Sequence, residues 1–169
     1  GKGMAAFSCG KSDFAQVGFG DTLNAVERWK IDQSCGQLDS SAIGDWKNKN
    51  EVFLIRLDKE GKKIRKLKIT YEDPFQYIID VGDIQSTIPA SITILKNPDQ
   101  NYTYFSFGLL NTVSGVEPEN RNTWDLQATL YSYTFYDQNP PLPYVVNGIL
   151  TNPGLLFAYK DSVTGFNQV

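Results

Sequence analysis

The chain predicts an all-β fold, an antiparallel sandwich-like arrangement of two sheets with little helix, on three observations. Between residues 124 and 166 apolar and polar side chains alternate, and a period of two belongs to strands, whose successive side chains point to opposite faces. Pro, Gly and Asn interrupt that alternation at short intervals, as turns require. Aromatic residues reach 13%, with Tyr and Phe far ahead of Trp, and strands favour such side chains. Many short strands joined by turns, with hardly any helical periodicity, point to stacked sheets.

The elements follow in order. Residues 4–9 (M-A-A-F-S-C) and 13–17 read as short strands, and Gly18-Phe19-Gly20-Asp21 as a turn. The M-A-A-F-S-C string resembles a lipoprotein cleavage box, but the apolar stretch before it is too short for one, so it is read as a strand. Residues 26–31 fit strand or helix. Asp39, Ser40 and Ser41 offer helix-capping oxygens, but Gly44 stops whatever begins there. Residues 52–57 and 64–70 flank a loop whose Gly61 suits the positive backbone dihedral of a hairpin. In the second of these strands Leu67 and Ile69 face one way and Lys66, Lys68 and Thr70 the other, a half-buried antiparallel pair. The cluster Lys62, Lys63, Arg65, Lys66 and Lys68 reads as a solvated, edge-protecting face, and no nucleic-acid partner is expected. Residues 75–81 follow, with Phe75, Tyr77, Ile79 and Val81 on one face. Residues 92–95 and 102–107 enclose the turn Asn97-Pro98-Asp99-Gln100-Asn101. A polar loop spans 111–123. The longest strand covers 124–136 and is stopped by Pro140, Pro141 and Pro143, which cannot donate to a ladder. Residues 144–150 and 155–159 enclose a last turn, Thr151-Asn152-Pro153-Gly154.

Composition bounds the function. The 169 residues suit a single domain, with 41% hydrophobic and 21% charged residues and a net charge of -3. No apolar run is long enough to cross a bilayer, and the apolar core of a signal peptide is missing. The start, Gly1-Lys2-Gly3, is expected for a processed form or for a portion of a longer protein that lacks its N-terminal part.

The chain contains no histidine, which removes the commonest proton shuttle and metal ligand. Neither a Ser-His-Asp nor a Cys-His arrangement can be assembled. Gly18-Phe19-Gly20 lacks the third glycine of a dinucleotide fingerprint, and no P-loop, G-x-S-x-G or calcium loop is present. The carboxylates are scattered, with no pair singled out for glycosidase chemistry. No catalytic residue, metal site or resident cofactor is predicted, and the chain reads as a non-enzyme. Cys9 and Cys35 are the two cysteines. They lack the C-x-x-C spacing of zinc or redox sites, and are either free and buried or paired, pairing being favoured in an exported protein.

Two aromatic groups bear on binding. In the strand 124–136, Trp124, Leu126, Ala128 and Leu130 share one face. Asp125, Gln127 and Thr129 share the other, followed there by Tyr131, Tyr133 and Phe135. Rings on the second face suit either ring pairs beneath a covering loop or an exposed shelf for a flat ligand, a sugar or a partner. With Tyr136 and Tyr144 they form the candidate ligand-binding set. Tyr102, Tyr104, Phe105 and Phe107 admit the same two readings.

A family pattern runs through these segments. Y-F-S-F at 104–107, a polar loop, W-D-L at 124–126, an aromatic strand and P-Y-V-V-N-G-I-L-T-N-P at 143–153 resemble the C-terminal half of the HmuY family, β-rich surface or secreted proteins of Bacteroidota. L-D-S-S-A-I-G-D-W at 38–46 and the following hairpin are similar to longer members. The resemblance implies an exported, cell-surface or outer-membrane location, a lipoprotein form, and a capture or accessory role beside a TonB-dependent transporter or surface complex. The family's name member grips haem iron between two histidines. With no histidine here, that ligand set has no counterpart, and haem would be held by Tyr or by stacking. A structural component of a surface assembly is the third expectation. Asp21-Thr22-Leu23 and Asp161-Ser162-Val163 resemble the O-glycosylation acceptor of exported Bacteroidota proteins, at Thr22 and Ser162. Asn101-Tyr102-Thr103 fits the eukaryotic N-glycan acceptor, which a bacterial origin makes irrelevant.

Overall fold

A computed structural model describes residues 5–23, 42–44, 46–58, 60–135, 137–139 and 142–153. Nine strands appear among them: β1 (Ala5–Ser8), β2 (Phe53–Arg56), β3 (Ile64–Glu72), β4 (Gln76–Asp83), β5 (Ala90–Leu95), β6 (Tyr104–Ser106), β7 (Asn111–Val113), β8 (Leu126–Phe135) and β9 (Leu142–Thr151). All pairings are antiparallel. The first five strands form one sheet in chain order, β6 pairs with β7, and β8 pairs with β9. Among the described residues the one α-helix is the single turn Trp46–Lys49. The protein is therefore all-β and antiparallel, with three sheets among the described residues. No helix among the described residues is long and apolar enough to cross a membrane.

β2 is buried on both faces of the five-stranded sheet, which explains why Val52-Phe53-Leu54-Ile55 is an unbroken apolar run. Phe53 and Ile55 join Ala6, Leu67, Ile79, Val81 and Ile94 on one face, with Phe105 and Phe107 packed against them. Those two rings meet edge to face, centroids 5.4 Å apart, and bring the β6 ribbon over the sheet. Val52, Leu54 and Ile64 on the other face meet Phe7, Phe14 and Val17. The β2–β3 hairpin closes as expected: Gly61 adopts φ +70, while the Asp58 carboxylate accepts from the Lys62 and Lys63 amides.

Several expectations are corrected. Residues 13–17 are not a strand: Asp13 caps a 3-10 turn, Phe14–Gln16, by accepting from the Ala15 amide. This turn drops the Phe14 ring onto the sheet. A β-carbon at Gly82 would lie 3.1 Å from that ring, so any larger residue would have to push the ring aside.

The basic cluster is not an edge-protecting face, because β3 is the middle strand. Lys66 is 1% exposed. It donates to the carbonyls of Phe14 (2.9 Å), Val17 (2.8 Å) and Ser86. Its neighbours are committed as well: Arg65 to Asp83, Lys62 to Glu60, and Lys68 to the Ser12 carbonyl.

Two further corrections concern the C-terminal half. The expected loop 111–123 contains β7, whose Val113 pairs with Tyr104; Thr112 and Val113 are β-branched and extend readily. Pro143 does not stop a strand but lies inside β9 opposite Thr134, tolerated because a two-stranded ribbon has only edge strands. The apolar face of β8 also turns outward. Leu126 is 63% and Leu130 54% exposed, while Gln127 and Thr129 are half-buried. The readings for 26–31, 39–41 and 155–159 lie outside the described residues.

Candidate functional site: an aromatic cleft at the base of the ribbon

The site begins with two buried polar side chains that pin loops. Glu117, 8% exposed, accepts from the Asn101 and Tyr102 amides, one on each carboxylate oxygen, both at 3.1 Å. Gln100 reaches the Glu117 carbonyl at 3.5 Å. The 97–101 turn is thereby locked to the 116–118 segment, and Tyr102 takes a fixed place at their junction. Asn152, fully buried, closes the other side. Its amide nitrogen donates to the Arg121 and Trp124 carbonyls at 2.5 and 2.6 Å. Its oxygen accepts from Asn101 at 3.1 Å, and its backbone amide donates to Asp125. Buried polar groups must be paired, and here the pairing joins the end of β9, the start of β8 and the 97–101 turn.

Between these anchors lies a cleft of about 120 Å³. Tyr102, Tyr104 and Trp124 supply its rings, Val116, Pro118 and Leu126 its apolar walls, and Glu117 and Gln127 its polar ones. The Tyr102 and Tyr104 rings meet at 63° with centroids 6.3 Å apart. Burial, then Glu117, then Tyr102 push the Tyr104 hydroxyl pKa upward, so it keeps its proton and remains a donor. The Trp124 indole nitrogen is buried without a hydrogen-bond partner among the described residues. An unmet buried donor costs about 1–3 kcal/mol. Among the described residues only one carboxylate lines the cleft, and none form a cluster of three or more metal-ligating side chains.

The sequence-selected aromatic set is placed elsewhere. Tyr131, Tyr133 and Phe135 pair with Val146, Tyr144 and Leu142, which puts these register positions on one face toward the far end of the ribbon. The Phe135 and Tyr144 rings stand 6.1 Å apart at 56°, and Tyr144 is exposed. Tyr136 lies outside the described residues. Tyr102 and Tyr104 do line the cleft. Glu117 and Asn152 were missed as site residues, since one stood in a polar loop and the other in a turn. Cys9 is half-buried at the end of β1, Cys35 lies outside the described residues, and their pairing is an expectation alone. Thr22 sits in the 3-10 turn Phe19–Thr22 and donates to the Phe19 carbonyl; Ser162 lies outside the described residues.

No protein-family model, curated protein or solved structure matches this chain.

Proposed function

We propose that the protein is a non-enzymatic capture or accessory subunit, exported to the cell surface, that holds a saccharide in the Trp124 cleft. The observation that carries this reading is the buried, unpartnered Trp124 N–H at an aromatic cleft that Glu117 also lines. A sugar ring offers apolar C–H faces to stack on rings and hydroxyls that both accept and donate. One hydroxyl would accept from Trp124 and another would donate to Glu117. Among the described residues Glu117 is the one carboxylate at the cleft, and this supports binding over glycosidase chemistry, which uses a pair. The surface location and the transporter or surface-complex partner rest on the HmuY resemblance.

The test is an array of neutral and acidic oligosaccharides probed with the native protein and with Trp124→Phe. The expected result is retention of saccharides, weakened about tenfold by a substitution that keeps a flat ring and removes the N–H. Absence of any retention, or retention indifferent to Trp124→Phe, overturns the reading.

A second reading, a structural part of a surface assembly, is favoured by the ribbon, where Leu126, Leu130, Val145 and Ile149 are exposed on one face. The third, a tetrapyrrole held by Tyr or by stacking, has less support: a cleft of about 120 Å³ is too small to enclose a macrocycle.

A further inference from the structure

Tyr102 borders a second hollow, of about 510 Å³, which Tyr77, Lys96, Asn101 and Arg121 also line. Its electrostatics differ from those of the Trp124 cleft. Lys96 lies 4.1 Å above the Tyr77 ring centre and pairs with Glu72 at 2.7 Å. The same Glu72 carboxylate holds Lys47 at 2.7 Å, so one carboxylate is shared between two ammonium groups. Arg121 is exposed. Its backbone is fixed by its amide on the Asp99 carbonyl and by Asn152 on its own carbonyl, while its guanidinium makes no ion pair among the described residues. Glu117 lines the aromatic cleft and disfavours an anion there. Two adjoining recesses therefore share one tyrosine and select opposite chemistry: a neutral hydroxylated ring beside Glu117, an anionic group beside Arg121.

We infer that the ligand is an acidic oligosaccharide of at least two rings, with a neutral ring in the Trp124 cleft and a uronate carboxylate in the Arg121–Lys96 hollow. The inference rests on the saccharide reading above and adds the class of sugar and its orientation. A planar carboxylate matches the guanidinium fork, which can donate two parallel hydrogen bonds. Lys96, already committed to Glu72 and to the Asp73 carbonyl, contributes field more than direct contact.

The experiment is calorimetric titration of the native protein and of Arg121→Gln with a galacturonate trimer and with the neutral galactose trimer of the same linkage. The native protein is expected to bind the acidic trimer about tenfold more tightly at low salt, with the preference shrinking as salt screens the charges. Arg121→Gln is expected to abolish the preference. Equal native affinities for the two trimers, or a preference that survives Arg121→Gln, overturn the acidic assignment and leave the saccharide reading standing. Failure of the native protein to bind either trimer overturns both.

Discussion

The ammonium of Lys66 stands 4.4 Å from the ring centre of Phe14. Their chain positions are 52 apart, yet lysine and ring form one buried unit with the Phe14, Val17 and Ser86 carbonyls. Burial pushes the Lys66 pKa down, while the nearby Cys9, Asp13 and Asp21 act in the other direction.

Lys66→Met keeps the length and apolar stem but leaves three carbonyls without their donor. The expected loss is about 2–4 kcal/mol, read as a lower urea midpoint at unchanged slope. Because the folded pKa of Lys66 lies below its unfolded value, stability should rise as pH climbs through the window between them. That rise should be missing in Lys66→Met, and an equal rise in both proteins would contradict the assignment.

Gly82→Ala tests the neighbouring contact. The added methyl meets the Phe14 ring at 3.1 Å and the Ser86 β-carbon at 3.2 Å. Overpacking of this kind costs roughly 1–3 kcal/mol. Combining the substitution with Phe14→Leu should recover part of the loss, as thermal melts of the single and double variants would show.

Glu72 controls acid sensitivity. Hydrogen bonds from Lys47 and then Lys96 lower its pKa from 4.5 to about 2. Its folded pKa is depressed, so its contribution is complete above about pH 4.5 and is lost as pH falls toward about 2. Lys47 is largely exposed, and solvent screening holds the contribution to on the order of 1–2 kcal/mol. Denaturant titrations from pH 6 to pH 2 should show a shallower decline in Glu72→Gln than in the native protein.

Asn152→Ala removes the amide that joins the Arg121 and Trp124 carbonyls to Asn101. Two partly buried acceptors lose their donor, at a cost of about 1–3 kcal/mol. Saccharide affinity should fall too, although Asn152 does not line the cleft. Unchanged affinity at unchanged fold would show that the clasp does not position Trp124.

Haem added to the protein should give no low-spin spectrum of the bis-histidine type, because the chain has no histidine. An absorption titration decides this directly, with a tight low-spin complex as the contrary outcome.

Parts of this architecture could be read in the chain and parts could not. Gly61 announced its hairpin, because only a few residue types accept φ +70. The alternation of residues 126–135 announced a strand, and the Asn97-Pro98-Asp99 string a turn. Lys66 was misread because period two gives it the face opposite Leu67 and then assumes that face is wet. What buries it is a segment about fifty positions earlier, which no local window contains. Trp124 was placed in the strand by the same alternation, whereas it ends a 3-10 turn just before β8. Its ring is legible as a candidate, but the Glu117 and Asn152 contacts that make a cleft of it depend on tertiary pairing.

The order of pairing in the large sheet bears on how the molecule assembles. β2 to β5 form a meander with neighbouring strands joined by short connections, whereas β1 must find β2 across more than forty residues. Loop closure over such a span is entropically slower than hairpin closure, so the meander can zip before the amino-terminal strand docks. Pulse-labelled amide exchange during refolding should protect Leu67 and Val81 ahead of Phe7. Ribosomal synthesis, which delivers β1 first, leaves it waiting for a template that emerges only later.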